Sequence, residues 1–339
     1  MLLNNDVART AASQPAPHVS VVIPFFQRQP GLLLAAVRSA LSQSAAAIRI
    51  IVVDDGSPIQ AKVELATLAS HERDHVEIIM QHNAGPGAAR NRALAAVPET
   101  ADYIAFLDSD DSWTPGHLAR ALTAFTSGAD FYFTDYAPLH AATSAFALCG
   151  LRADDPAHRP EGDGLHTYGG DLFDALLHRS PVGTPTVVVR RELAAGLAFP
   201  TGFSFAEDVF FWMRLTRRAR KIMFSTIPGV LCGAGVNISA AAAWGTPSSL
   251  RKLGGEYRFH RAVVSAFPLS PAQRAWSRAW RREVAWSFVT SLLHLLRRGG
   301  PVDWRSVGAL MADCTMELPA LLPPAWPQSR SPARMSVQS

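Results

Sequence analysis

The chain of 339 residues is predicted to be an α/β protein: a Rossmann-like, mostly parallel sheet flanked by helices, with a helical C-terminal extension. Three observations predict this. Apolar strand-like runs alternate with helical patterns over residues 19–111, the runs stop in polar or glycine-containing loops, and beyond residue 244 helical signals take over.

Each element has its own signal. "VSVVIPFF" is a β-branched and aromatic run sheltered on both faces, and "GLLLAAVRSALSQ" follows at helical spacing. "IRIIVVDDGS" is the second strand, "QAKVELATLASH" a helix, "VEIIMQHN" the third strand, residues 87–96 a helix and "YIAFLDSDD" the fourth strand. Ligands of open α/β sheets lie outside the carboxyl ends of the strands, so "FQR", "DDGSP", "HNAGPG" and "DSDD" are expected to line one crevice. "DFYFTDYAPL" continues as a strand, residues 141–170 are expected to be poorly structured, and "TPTVVVRREL" resumes a strand and turn. An aromatic loop then leads into a helix expected over 207–220. Residues beyond 244 read as helical to about 316, and the ends, 1–17 and 318–339, are rich in Pro, Ser and Ala and are expected to be flexible.

With 48% hydrophobic and 18% charged residues the chain can bury a large core and is not a disordered one. "MLLNNDVARTAASQPAPH" lacks the apolar centre of a signal peptide, so a cytoplasmic location is expected. Cys149, Cys232 and Cys314 are far apart, which argues against a disulfide framework or a structural zinc site. No window reaches the roughly 18 apolar residues of a membrane span; "AWSFVTSLLHLL" reads as an amphipathic helix. Between residues 251 and 298 ten Arg and Lys face only Glu256 and Glu283. Such a run is either a solvated helical face or a surface for anionic lipid, a peripheral contact with the inner face of the plasma membrane; no nucleic-acid partner is expected.

Four loops carry the chemistry. Asp108 and Asp110, at i and i+2 on a chain leaving an apolar strand, can turn toward one hard cation, Mg²⁺ or Mn²⁺, whose shell a diphosphate and water would complete. Alone, D-x-D is also common as a solvated turn. One of Asp54 and Asp55 could accept from a nucleobase N–H or ribose hydroxyls, although D-G-S is equally strong turn chemistry. Gly85 and Gly87 precede a helix whose N–H groups, with Arg90, could face an anion; the loop is neither a P-loop nor a G-x-G-x-x-G fingerprint. Glu207 and Asp208 open a helix among aromatic residues, as dipole partners or as a desolvated general base.

The blocks "VSVVIPFFQR", "IIVVDDGS", "HNAGPGAARNRAL", "YIAFLDSDDSWTPGHL" and "FAEDVFFWMRL", in this order, resemble the family-2 glycosyltransferases of GT-A fold, bacterial exopolysaccharide and lipopolysaccharide type. The resemblance implies a GT-A catalytic domain over 18–240, with a nucleotide-sugar half at 18–130 and an acceptor half at 131–240, then a helical extension at 241–317. It implies Pro24 and Phe25 beside the nucleotide, Asp55 on the base and Arg90 near the nucleotide or its phosphates. Asp110 and Asp108 would hold the metal, Asp208 would be the catalytic base, and Glu207 would support the acceptor. The implied reaction is inverting, metal-dependent transfer from a nucleotide-diphosphate sugar to a saccharide or polyprenyl-linked acceptor. Members often carry Arg-x-His-x-x-Asn-x-Ser after the Glu-Asp helix; "CGAGVNIS" keeps Asn237 and Ser239 but has Cys232 and Ala234 at the other two positions. That departure leaves open an inactive homologue that binds another transferase. A nucleotidyltransferase is disfavoured, because no glycine-rich basic phosphate loop lies near residue 25.

Overall fold

The computed structural model describes residues 16–137, 143–203, 205–233 and 243–314. Expectations for 1–15 and 315–339, and for Ala234, Asn237 and Ser239, lie outside the described residues. The first four strands, β1 (His18–Phe25), β2 (Ala47–Asp54), β3 (Val76–Met80) and β4 (Tyr103–Phe106), pair in parallel in the order β3-β2-β1-β4. The others are β5 (Ser112–Trp113), β6 (Phe131–Ala137), β7 (Arg159–Gly162), β8 (Leu165–Thr167), β9 (Val188–Arg190) and β10 (Ile222–Leu231). Past β4 the sheet continues β9-β6-β10-β8-β7, and β5 pairs with β10. β9 runs antiparallel to both β4 and β6, while β6 and β10 are parallel. β1, β2, β3, β4, β6 and β10 therefore share one direction, which makes the body of the sheet mostly parallel.

Strand alternation builds two apolar layers. Val19, Val21, Ile23 and Phe25 face helices Leu32–Leu41 and His117–Thr126. Val22, Ile51, Val53, Ile104 and Phe106 face helices Pro86–Ala96 and Glu207–Thr216. There Phe106 meets Trp212 edge to face at 4.9 Å. Helices Pro247–Ala266, Pro271–Arg297 and Trp304–Cys314 enclose a separate core of Tyr257, Val284, Phe288, Leu295 and Leu310, and Phe259 and Val263 join the layer beneath Glu207–Thr216.

Three local expectations change. The helix expected over 60–71 is two short turns, Ala61–Glu64 and Ser70–Arg73: Asp54 accepts the Ala61 N–H at 2.7 Å where the first begins, and past Glu64 the Ala66 and Leu68 N–H groups turn to carbonyls three residues back, so the helical ladder stops. Within the stretch expected to lack structure, Ser144 caps helix Ala145–Cys149, and β7 and β8 form a hairpin on β10. These strands are too short to show alternation in sequence. The helix opening at Glu207 ends at Thr216 rather than 220.

Candidate active site

β1 to β4 deliver their carboxyl ends to one side of the sheet, so the four polar loops share an edge. Asp54 is fully buried; its Oδ1 accepts the Ser57 N–H at 2.8 Å and its Oδ2 the Ala61 N–H, so it holds its own loop. Asp55 fastens the neighbouring loop: Oδ1 accepts from Gln81 Nε2 at 2.7 Å and the Ala84 N–H at 2.8 Å, and Oδ2 from the Gly85 N–H at 2.8 Å. These donors take three of the roughly four acceptor sites of a carboxylate. Phe25, expected beside a nucleotide, is fully buried in the layer under helix Leu32–Leu41, because alternation turns it away from Pro24. Half-buried Phe26 lies under the Arg28 guanidinium at 5.7 Å.

The acids after β4 meet a buried cation. Arg90, 5% exposed, donates to Asp108 Oδ1 at 2.8 Å and to Glu207 Oε1 at 3.0 Å. Burial opposes its charge, but Asp108, Glu207 and Asp208 together hold its pKa above the usual range. Asp111 accepts the Gly233 N–H at 2.8 Å, and its pKa is pushed up to about 8, first by burial and then by Asp108 and Asp110. Ser109 accepts from Gln27 Nε2 at 3.1 Å, tying the acid loop to the loop after β1.

Glu207 and Asp208 stand at the start of helix Glu207–Thr216, preceded by Ala206 in the left-handed region (φ 56°), a strain of about 1 kcal/mol. Burial and the adjacent Asp208 raise the Glu207 pKa against the pull of Arg90. Asp208 Oδ2 accepts the Thr184 hydroxyl at 2.6 Å. Gly87 leaves room for this helix: a Cβ there would come within 3.0 Å of the Pro200 carbonyl oxygen and 3.2 Å of Glu207 Cγ. Asn91 completes the join, pairing with both the N–H and C=O of Phe199.

Residues 20–137 match the model of Glycosyl transferase family 2. Over 282 residues the chain is 31% identical to "Succinoglycan biosynthesis protein ExoW" of Rhizobium meliloti (strain 1021), covering 79% of this chain and 86% of ExoW. The chain belongs to the family-2 glycosyltransferases. It is also 30% identical over 204 residues to "Putative teichuronic acid biosynthesis glycosyltransferase TuaG" of Bacillus subtilis (strain 168), covering 60% of this chain and 73% of TuaG. S. aureus TarS 1-349 in complex with UDP-GlcNAc shares the fold with a TM-score of 0.53 and 17% identity, over 81% of this chain and 72% of that one. Mannosyltransferase PcManGT from Pyrobaculum calidifontis, in complex with GDP-Man and Mn²⁺, matches with a TM-score of 0.55 and 17% identity, over 93% and 84% of the two chains. The fold of this family-2 glycosyltransferase is GT-A.

The acid loop of this glycosyltransferase carries Asp108, Asp110 and Asp111, hard oxygen donors of the kind a divalent ion takes. The pKa of Asp111 is raised first by burial and then by Asp108 and Asp110, and a cation would relieve the second of these. Among the described residues no three His, Cys, Asp or Glu side chains are grouped to hold an ion by themselves. One or two carboxylates with diphosphate and water are the usual shell of Mg²⁺.

Arg90 was expected near the donor without its partners Asp108 and Glu207, and no role was assigned to Gln27, although its loop was expected at the crevice, or to Gln81, Trp113 and Thr184. Gln27 stood in a loop expected at the crevice and Trp113 two residues past the acids; the Trp113 indole N–H donates to the Pro185 carbonyl at 2.8 Å.

Proposed function

We propose that this glycosyltransferase carries a sugar from a nucleotide-diphosphate donor to a hydroxyl of a saccharide or lipid-linked saccharide, with inversion, in the synthesis of a cell-surface polysaccharide. The observation that carries the reading is the Arg90 bridge, which joins Asp108 of the acid loop to Glu207, neighbour of the candidate base, in one crevice. ExoW and TuaG are named for polysaccharide biosynthesis, and the two structural neighbours hold UDP-GlcNAc and GDP-Man.

Asp55 retains an acceptor site for a base N–H. Asp110 and Asp108 would hold Mn²⁺ or Mg²⁺, which offsets charge on the leaving nucleoside diphosphate. The acceptor oxygen bonds to the anomeric carbon from the face opposite the diphosphate, the carbon–oxygen bond to the diphosphate breaks with its electron pair, and Asp208 takes the hydroxyl proton. Arg90 keeps Glu207 and Asp108 oriented.

Calorimetric titration with UDP, GDP and dTDP, with and without Mn²⁺, tests the donor crevice. Metal-dependent binding of one nucleotide is expected, and nucleoside diphosphate release should vanish in Asp208→Asn. Normal binding with no turnover of any sugar nucleotide by the wild type would overturn the transfer reaction.

The same reading extends to the surface. No helix among the described residues is long and apolar enough to cross a membrane. Trp286 and Leu293, 38% and 45% exposed, are seven apart on helix Pro271–Arg297, and Trp304 and Met311, 63% and 55% exposed, are seven apart on Trp304–Cys314. Two helical turns bring such pairs to one face. With exposed Arg278, Arg297 and Arg298 nearby, these faces suit peripheral contact with an anionic membrane that carries the acceptor.

A further inference from the structure

The turn over residues 183–186 belongs to none of the five blocks, yet it is held by three outside residues and closed by a contact of its own. Gly183 lies flat against Tyr136: a Cβ there would come within 2.8 Å of the ring. The Thr186 hydroxyl and N–H both donate to the Gly183 carbonyl, at 2.7 and 3.0 Å, closing the turn on itself. The Trp113 indole holds the Pro185 carbonyl at 2.8 Å. Thr184, 4% exposed, sits between these braces and aims its hydroxyl at Asp208 Oδ2, 2.6 Å away.

This arrangement exceeds what a buried threonine requires. Thr186 satisfies its hydroxyl on a carbonyl of its own turn, whereas Thr184 spends its donor on a carboxylate 24 residues on. Asp208 Oδ1 also accepts the Val209 N–H at 2.8 Å, so both oxygens are fixed and the carboxylate plane is set. A proton acceptor must meet its donor within hydrogen-bond reach, and a carboxylate free to rotate loses that alignment. The contacts also form a relay: Trp113, two residues beyond Asp111, grips Pro185, and the neighbouring Thr184 grips Asp208. The donor-side acids and the acceptor-side base are thereby set in register through a rigid turn.

We propose that Thr184 is the positioning residue of Asp208, and that Trp113 couples its turn to the acid loop. This rests on Asp208 being the base, so the experiment keeps the two readings apart. Nucleoside diphosphate release from UDP-glucose, UDP-N-acetylglucosamine, GDP-mannose and dTDP-glucose is followed with water and a bacterial lipid extract as acceptors, for the wild type, Thr184→Val, Thr184→Ser and Asp208→Asn. Thr184→Val should lower kcat by roughly 10- to 100-fold, a fraction of the roughly 100- to 10,000-fold that a general base supplies, with donor KM, UDP or GDP affinity and Tm unchanged. Thr184→Ser, which keeps the hydroxyl, should retain most of the turnover. Wild-type kcat in Thr184→Val beside an inactive Asp208→Asn would overturn the positioning role alone. So would a loss that appears in KM, nucleotide affinity or Tm and is not restored by serine. Full turnover in Asp208→Asn would overturn the base itself, and Thr184's role with it.

Discussion

Arg90 and Glu207, 117 positions apart in the chain, are joined by a hydrogen bond of 3.0 Å, and the same guanidinium reaches Asp108 at 2.8 Å. Removing this cation would leave carboxylates facing one another in a poorly solvated crevice. Arg90→Ala should cost about 3–5 kcal/mol in urea unfolding and abolish nucleoside diphosphate release. Arg90→Lys, with charge but no planar fork, should recover part of the stability and little of the activity.

Asp110 is the test of the cation. In the wild type Mn²⁺ should raise nucleotide affinity, and EDTA should reverse the gain. Asp110→Ala should bind the nucleotide equally weakly with and without Mn²⁺; a calorimetric response to Mn²⁺ that persists in the variant would remove Asp110 from the metal site.

Two buried histidines set an acid limit on stability. Burial pushes His117 and His260 down to about 3, aided by Arg120 at His117 and by Arg281 and His178 at His260. Unfolded histidine titrates near 6.5, so between these values the unfolded chain binds more protons and is favoured as pH falls. The stability is complete above about 6.5 and drains by about 1.4 kcal/mol per pH unit for each histidine down to about 3. Urea unfolding from pH 7 to 4.5 should show this slope, and His260→Gln should reduce it by one histidine's share.

Gly87 is a packing requirement at the crevice. Gly87→Ala pushes a methyl against the Pro200 carbonyl and Glu207 Cγ, so these neighbours must give way slightly, at the carboxylate that Arg90 holds. An overpacking cost of about 1–3 kcal/mol in unfolding is expected, together with a fall in turnover.

Membrane contact is read by flotation. The protein should float with vesicles containing phosphatidylglycerol and remain behind with phosphatidylcholine alone. Trp286→Ser with Leu293→Ser should abolish flotation while leaving nucleotide affinity intact, since both side chains are exposed and far in sequence from the acid loop. Flotation that survives these changes would rule out this face.

The sequence alone was enough for the α/β class, the alternation of strands and helices under a mostly parallel sheet in the first half, and the helices beyond residue 244; the order of strands in the sheet came from the structure. Those features follow from neighbours: β-branched runs shielded on both faces, loop chemistry at strand ends, and helical signals that replace strand patterns beyond residue 244. It also marked Asp55, Arg90, Asp108, Asp110, Glu207 and Asp208 as chemistry-bearing. Partners were another matter. The bases of 251–298 looked nearly unopposed, yet Arg251 pairs with Asp303, and Arg258 and Arg261 with Asp313, acids outside that window. Phe25 looked available to a ligand and proved to be core. Thr184 carried no pattern and lies against Asp208. Periodicity records how a side chain relates to its own strand or helix, whereas a hydrogen bond between residues 184 and 208, or 90 and 207, exists only once the sheet has brought separate segments within 3 Å. Strands and loop acids are local properties of the chain; the pairing of one charge or hydroxyl with another was decided by tertiary packing.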